Sequence, residues 1–323
     1  MTDRELGSVN LLGSPQGPYV KQLIASAERM LPRTPVRCLS FTDLQVQMHA
    51  GGVQSVRTRA LCDTSGSDTS EPNAWVELTG TDGIIVRTMP LGSLEQVIFR
   101  MDALQVAESI GCTILNSPRA LEAAIDKWLT LHRLAERGLQ VPQTRACQSR
   151  DAALEAFEEF GCDAVVKPIF GGEGRGIVRV TDVDIAWRVF STLEQMRAVI
   201  YVQPFLDNFG YDIRVLVIGD RMLAMKRRAR DGEWRANISR GSQPEVHELT
   251  DAEREQAQAA ADAVGATFVG VDLLPTVDGS CPILEVNAVP GWNGIQAAHG
   301  VNVADLVIRH LAVKHLEERS RRG

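Results

Sequence analysis

Several things are missing from this 323-residue sequence, and each absence removes a class of function. No Cys-x-x-Cys pair occurs among the six cysteines, at 38, 62, 112, 147, 162 and 281, and the six histidines show no ligand spacing. That argues against a zinc site or a disulfide framework and for free thiols in a reducing compartment. No apolar run approaches the roughly 20 residues of a membrane span. Residues 1–5 lack the basic-then-apolar layout of a secretory signal, so a cytoplasmic protein with no membrane partner is expected. Positive charge is not in excess: 34 Lys and Arg against 41 Asp and Glu leave a net charge of -7, which argues against nucleic acid as the main partner. Internal repeats and long low-complexity segments are absent. Residues 13–18 are rich in Gly and Pro but carry neither Gly-x-Gly-x-x-Gly nor Gly-Lys-Ser/Thr spacing, and read as a turn. What is present is an ordinary globular composition, 44% hydrophobic and 23% charged, in a chain long enough for two or three compact units.

Two apolar, β-branched runs near the C-terminus, 269–274 and 281–289, are separated by Pro275 and the Asp278-Gly279 turn signal and predict a β-hairpin. Its polar residues are out of keeping with its flanks. Glu285 and Asn287, two apart, share one face of a strand, and pairing brings Asp272 beside them. Two readings stand. The three polar residues are the solvent face of an exposed hairpin, or they are three oxygen ligands for a hard cation such as Mg²⁺ or Mn²⁺. Phosphate-binding groups elsewhere would favour the second.

Residues 1–110 read as an α/β unit: strands over 9–12, 36–41 and 83–90, a helix over 19–30, and a polar loop over 62–73. After a strand at 113–115, Asn116-Ser117-Pro118 starts a helix predicted to run to 137, with Gly138 as its stop and Lys127 upon it. A further helix covers 151–160. A strand then ends at Lys167 and enters a loop holding Gly171, Gly172, Gly174 and Gly176, whose backbone N–H groups could turn towards an anion. As a bare loop it reads equally as a flexible hairpin connection. A helix over 184–196 leads to a strand at 198–206, where Pro204 bars a central ladder position and suits a hinge meeting a planar ring. An antiparallel pair follows, 211–218 and 222–228, turning at Gly219-Asp220. Arg214, Lys226, Arg227, Arg228, Arg230, Arg235 and Arg240 form a basic cluster suited to a small anionic substrate. A capping box at Thr250/Glu253 opens a helix ending near Gly265, and an amphipathic helix over 303–319 precedes a tail expected to fray from 320.

This succession resembles the ATP-grasp superfamily and, within it, the RimK-like α-L-glutamate ligases, over about residues 83–312. The resemblance rests on Asn116-Ser117-Pro118 with Asp126-Lys127, Asp212-Ile213-Arg214, Arg235-Ala236-Asn237 with Arg240-Gly241, and Gly270-Val271-Asp272 with Glu285-Val286-Asn287-Ala288-Val289-Pro290-Gly291. It implies an α/β and α+β fold: an N-terminal pre-ATP-grasp domain (1–110), a central lobe (111–198) and a C-terminal lobe (199–323), with ATP between the two lobes. Carried over by position, Lys127, Lys167 and the loop glycines Gly172, Gly174 and Gly176 would hold phosphates. Gln203, Pro204, Phe205 and Leu206 would read adenine through the backbone, and Asp212, Arg235 and Asn237 match other nucleotide-site positions. Asp272, Glu285 and Asn287 would hold one or two Mg²⁺ or Mn²⁺ ions. Arg214, Arg228 and Arg240 would orient the substrate carboxylates as the catalytic arginines.

The implied reaction is carboxylate–amine ligation, in which an acceptor carboxylate takes the γ-phosphoryl of ATP and the amine of L-glutamate displaces phosphate from the acyl phosphate. A homo-oligomer is compatible with this. Three departures from the family pattern stand out: Pro204 in place of a frequent Glu, Ser242 after Arg240-Gly241 in place of a second glycine, and Trp292 after Pro290-Gly291. The last is similar to members associated with tetrahydromethanopterin-type coenzyme synthesis rather than to those that modify ribosomal proteins. The Glu-Val-Asn-His form of carrier-protein-linked ligases is absent. The alternatives are a ribosomal-protein-modifying glutamate ligase, a non-catalytic ATP-binding regulator and a small-molecule kinase.

Overall fold

The computed structural model describes residues 6–63, 73–171, 174–229, 234 and 244–322. Three sheets carry the described chain. The first is made of β1 (Ser8–Leu12), β2 (Val36–Leu39), β3 (Gln45–His49), β4 (Gly52–Asp63), β5 (Trp75–Leu78), β6 (Asp82–Val86) and β7 (Thr113–Leu115), with α1 (Pro18–Met30) and α2 (Leu94–Ser109) between them. Its order is β3-β4-β2-β1-β6-β7, with β5 on β4. β1 pairs in parallel with β2 and β6, and every residue of β1 and β6 is buried; their polar side chains pair with one another, Ser8 Oγ donating to Asp82 Oδ1 and Asn10 Nδ2 to Ser8 Oγ. The antiparallel extension β3–β5 leaves less trace in the sequence because β3 is mostly exposed and mixed in polarity. The strand expected over 36–41 ends at Leu39, and β4 runs to Asp63, into the segment expected to be a loop.

The second sheet, order β10-β9-β11-β8, follows α3 (Pro118–Ile125) and α4 (Lys127–Glu136). It contains β8 (Arg145–Cys147), α5 (Arg150–Glu159), β9 (Ala164–Lys167), β10 (Val178–Val180), α6 (Val183–Gln195) and β11 (Ile200–Pro204). The single helix expected over 118–137 is two helices. Asp126, at φ -90 and ψ 107, leaves helical space, and its carboxylate accepts from the Leu129 N–H at 3.0 Å. It thereby caps α4 and makes Lys127 the first residue of that helix. Pro204 pairs in register with Ala164 although β11 lies between β9 and β8. It is tolerated because it is the last residue of the strand, and the next N–H, that of Phe205, takes up the pairing to Asp163 O at 2.9 Å.

The third sheet is antiparallel throughout, order β14-β13-β12-β15-β16. Its strands are β12 (Tyr211–Ile218), β13 (Arg221–Arg228), β14 (Pro244–Val246), β15 (Phe268–Leu273) and β16 (Ile283–Asn287), and its helices α7 (Asp251–Val264), α8 (Asn293–His299) and α9 (Val303–Arg322). The capping box at Thr250/Glu253 and the left-handed stop at Gly265 are as read from the sequence. The tail departs from expectation. α9 continues to Arg322, whose Nη1 donates to Gly111 O at 2.7 Å, because the helix returns to the first sheet. Val303, Val307, Ile308 and Leu311 share one core with Val9, Leu11, Leu23, Phe268 and Trp292. β7 lies beyond the boundary expected at residue 110, and β11 beyond that expected at 198.

Candidate functional site

A cleft of 660 Å³ is lined by all three units: Val165, Lys167, Tyr201 and Gln203 from the second sheet, Asp212, Arg214, Arg227, Asp272, Glu285 and Asn287 from the third, and Tyr19, Arg87 and Thr88 from the first. Lys127, Gly174, Pro204, Phe205, Leu206 and Trp234 complete the walls that bear on function. Lys127 stands at the start of α4, and its ammonium donates to the carbonyls of Ile169 and Gly171, so it already grips the glycine loop. Gly176, at φ +74, could not carry a side chain without backbone strain. Burial, with the nearby Lys127 charge, pulls Lys167 down to about 8, against the opposing pull of Glu285 and Asp272. At the hinge the Gln203 side-chain amide donates through Nε2 to Thr144 Oγ1 (2.8 Å) and Tyr201 Oη (3.1 Å), which uses both of its donors. Phe205 lies against the Arg179 guanidinium, 3.4 Å from its ring centroid, and edge-on to Trp234 at 5.9 Å.

On the opposite wall, register makes a charge ladder. Arg214 lies across from Asp272 and Asp272 from Glu285, while Asp212 lies across from Arg227 on the neighbouring pair. Arg214 holds Asp272 with two bonds, Nε to Oδ1 at 2.6 Å and Nη2 to Oδ2 at 2.5 Å. Arg227 holds Asp212 the same way, both at 2.6 Å, and reaches Asp272 Oδ2 at 2.9 Å. Burial would raise the Asp272 carboxyl, but the two guanidinium groups together hold it well below the usual carboxylate range. Asp212 is different: burial outweighs Arg227 and its carboxyl is raised. The Glu285 carboxylate has no hydrogen-bond partner among the described residues, and Asn287 Oδ1 accepts from the Val289 N–H at 2.9 Å.

Two carboxylates and an amide oxygen on one hairpin face are a donor set for a hard cation that also binds phosphate oxygens. No cluster of three or more His, Cys, Asp or Glu side chains among the described residues could hold a metal by itself, so this set leaves coordination positions for oxygens from outside the protein. The bidentate arginine on Asp272 must yield an oxygen when a cation enters. With that exchange the residues fit.

Twelve of the expected site residues line the cleft: Lys127, Lys167, Gly174, Gln203, Pro204, Phe205, Leu206, Asp212, Arg214, Asp272, Glu285 and Asn287. Gly176 lies in the loop above it, and Gly172, Arg235, Asn237 and Arg240 lie outside the described residues. Arg228 does not line the cleft: it is exposed, pairs with Glu245 at 3.0 Å and lies over the Tyr211 ring. Strand alternation turns its neighbour Arg227 inward instead. The sequence held the signal for Arg227, because a turn at Gly219-Asp220 sets Asp212 opposite it. Arg87 and Tyr19 carried no comparable signal, since they reach the cleft from the first sheet and α1 only through the tertiary fold.

Two lobes closing on a cleft, with lysines and a glycine loop on one and an acidic hairpin on the other, define an ATP-grasp ligase. Residues 124–311 match the RimK-like ATP-grasp domain. The tetrahydromethanopterin:α-L-glutamate ligase of Methanosarcina acetivorans is 37% identical over 278 residues, covering 76% of this chain and 86% of that protein. A probable α-L-glutamate ligase of Photobacterium profundum is 32% identical over 285 residues, covering 86% of this chain and 93% of that protein. Among solved structures, the ATP-grasp ligase PsnB in complex with a minimal precursor superposes with a TM-score of 0.70 at 21% identity, covering 96% of this chain and 100% of PsnB. A RimK domain protein from Sphaerobacter thermophilus gives 0.66 at 17% identity, covering 94% and 98%. The chain belongs to the RimK-like ATP-grasp family and is an ATP-dependent ligase that forms amide bonds.

Proposed function

We propose that the protein joins the amine of L-glutamate to an acceptor carboxylate, with a tetrahydromethanopterin-like coenzyme acid as the acceptor class. The observation that carries the ligase chemistry is the convergence of Lys127, Lys167 and the hinge with Asp272, Glu285 and Asn287 on one cleft. The named relatives supply glutamate, and the similarity to the Methanosarcina protein supports a coenzyme rather than a protein tail.

ATP lies with its adenine against the hinge and its phosphates between the lysines and the hairpin. The Leu206 N–H has no partner among the described residues and is the donor for the adenine edge, since Pro204 has none and the Phe205 N–H is taken by Asp163. Lys167 and Lys127 neutralise phosphate charge. Asp272, Glu285 and Asn287 would hold Mg²⁺ or Mn²⁺, which when bound would supply charge neutralisation on the transferring phosphoryl group. Arg214, released from one Asp272 oxygen, orients the acceptor carboxylate in line with the γ-phosphorus. The acceptor oxygen attacks phosphorus, ADP leaves, and the glutamate nitrogen then attacks the acyl carbon. Phosphate departs and the amine loses a proton.

Incubation with ATP, Mg²⁺, L-glutamate and a panel of acceptor acids, read by mass spectrometry, tests this. The expected result is a glutamate-mass addition to a coenzyme-type acid with ADP and phosphate as co-products. AMP and pyrophosphate as products would overturn the ligase mechanism, and addition only to a protein tail would overturn the acceptor class.

A further inference from the structure

Ser117 and Pro118 start α3, but the Asn116 side chain takes no part in that cap. It is 1% exposed at the end of β7 and reaches across to the third sheet. Its Nδ2 donates to the carbonyls of Phe268 (2.6 Å) and Ala288 (2.8 Å), and its Oδ1 accepts from the N–H groups of Thr267 (3.0 Å) and Phe268 (2.9 Å). Both donors and both acceptor positions of the amide are thus used. One end of this staple is the start of β15, which bears Asp272; the other is Ala288, directly after Asn287.

Two residues further on, the Pro290 carbonyl accepts from Arg87 Nη2 at 2.9 Å. Arg87 follows β6 directly and is 7% exposed. Its guanidinium lies over the rings of Trp292 (4.7 Å), Tyr19 (5.1 Å) and Phe268 (5.9 Å), and Nε and Nη1 have no hydrogen-bond partner among the described residues. The aromatic faces stand in for water around that cation. Between the two anchored carbonyls, the Val289 N–H donates to Asn287 Oδ1. The turn after Asn287 is therefore fixed at Ala288 and Pro290 by side chains from the first sheet, and the direction of the Asn287 amide is fixed by the residue between them.

We propose that Asn116 and Arg87 are positioning residues for the cation: the first sheet aims Asn287 through the two carbonyls it holds. This rests on the reading of Asp272, Glu285 and Asn287 as the metal-holding set. Residues that orient ligands from behind characteristically cost about 10–100-fold in metal affinity when removed. A role as mere glue between sheets would lower thermal stability and leave cation affinity where it was.

The test is Mn²⁺ binding to the ADP-loaded protein, read by the electron paramagnetic resonance signal of free Mn²⁺, with metal-free ADP affinity measured alongside. Asn116→Ala and Arg87→Met are each expected to weaken Mn²⁺ about 10-fold or more while metal-free ADP affinity stays unchanged. Met refills the aromatic box without a donor, so Arg87→Met carries the test should Asn116→Ala not fold. Glu285→Gln is the control. If it loses Mn²⁺ and the folded positioning variants bind it as the unaltered protein does, the positioning role is overturned. An equal fall in metal-free ADP affinity overturns it too. If Glu285→Gln itself keeps Mn²⁺, the metal assignment is what fails.

Discussion

Arg227 and Arg228 are adjacent and chemically identical, yet the fold gives them opposite energetic standing. Arg227 is almost wholly buried between Asp212 and Asp272, whereas Arg228 and its partner Glu245 are each about half exposed. Removing one partner of a buried ion pair leaves an uncompensated charge, so Arg227→Ala is expected to cost about 3–5 kcal/mol in urea unfolding. Arg228→Ala is expected to cost under about 1 kcal/mol. Equal effects would contradict the ladder. Lys167 gives a pH prediction. Folding lowers it to about 8, below the ordinary lysine value of about 10.4, so the folded chain gives up this proton first. Stability from this group therefore rises with pH between those two values and is least where the buried amine is protonated. Nucleotide phosphates favour the protonated amine, so ATP binding at about pH 8.5 should take up a fraction of a proton, read by calorimetry in buffers of different ionisation enthalpy. Lys167→Arg should bind without that uptake. At this scale Asp272, Glu285 and Asn287 were legible because strand alternation is strict, while choosing between two neighbouring arginines required the register.

Elements differ in how plainly they announce themselves. The hairpin β15–β16 could be read because apolar flanks, a Pro and an Asp-Gly turn coincide, and α7 because both its ends carry unambiguous signals. The break between α3 and α4 carries no Gly or Pro, and its one signal, Asp126 as a favoured N-cap residue, is weak beside helix-forming residues on both sides. What the break does is place Lys127 where a helix begins, beside the glycine loop. Asp126→Ala removes the cap and should cost about 1 kcal/mol of stability. It should also raise KM for ATP, because Lys127 then loses its fixed origin. A stability loss with unchanged KM would show that the cap matters to the helix alone. The antiparallel strands β3–β5 were unread for a different reason: half-exposed strands with polar alternation look like loops until a partner is known.

Across the molecule, the first sheet does not own its core. α9 lies against α1, β6 and β7, and Leu311 sits so close to Gly83 that any side chain at 83 would collide with it. Leu311→Ala should cost about 2–5 kcal/mol in global unfolding. Its loss should be felt by hydrogen exchange in β1 and β6 rather than in the second sheet, where α5 and α6 form a separate core around Phe157 and Phe190. Protection lost first in β9 and β11 would refute this partition.

That shared core also sets a timetable for synthesis. Ribosomes add about 5–20 residues per second, so the helix that covers β1 and β6 follows β7 into existence only after some tens of seconds at the slower rates. Until residues 303–322 emerge, the part of that face which Val303, Val307, Ile308 and Leu311 cover beside α1 stays open apolar surface. The unit made first is thus finished last, and a holding chaperone would find its target in the N-terminal third of the growing chain.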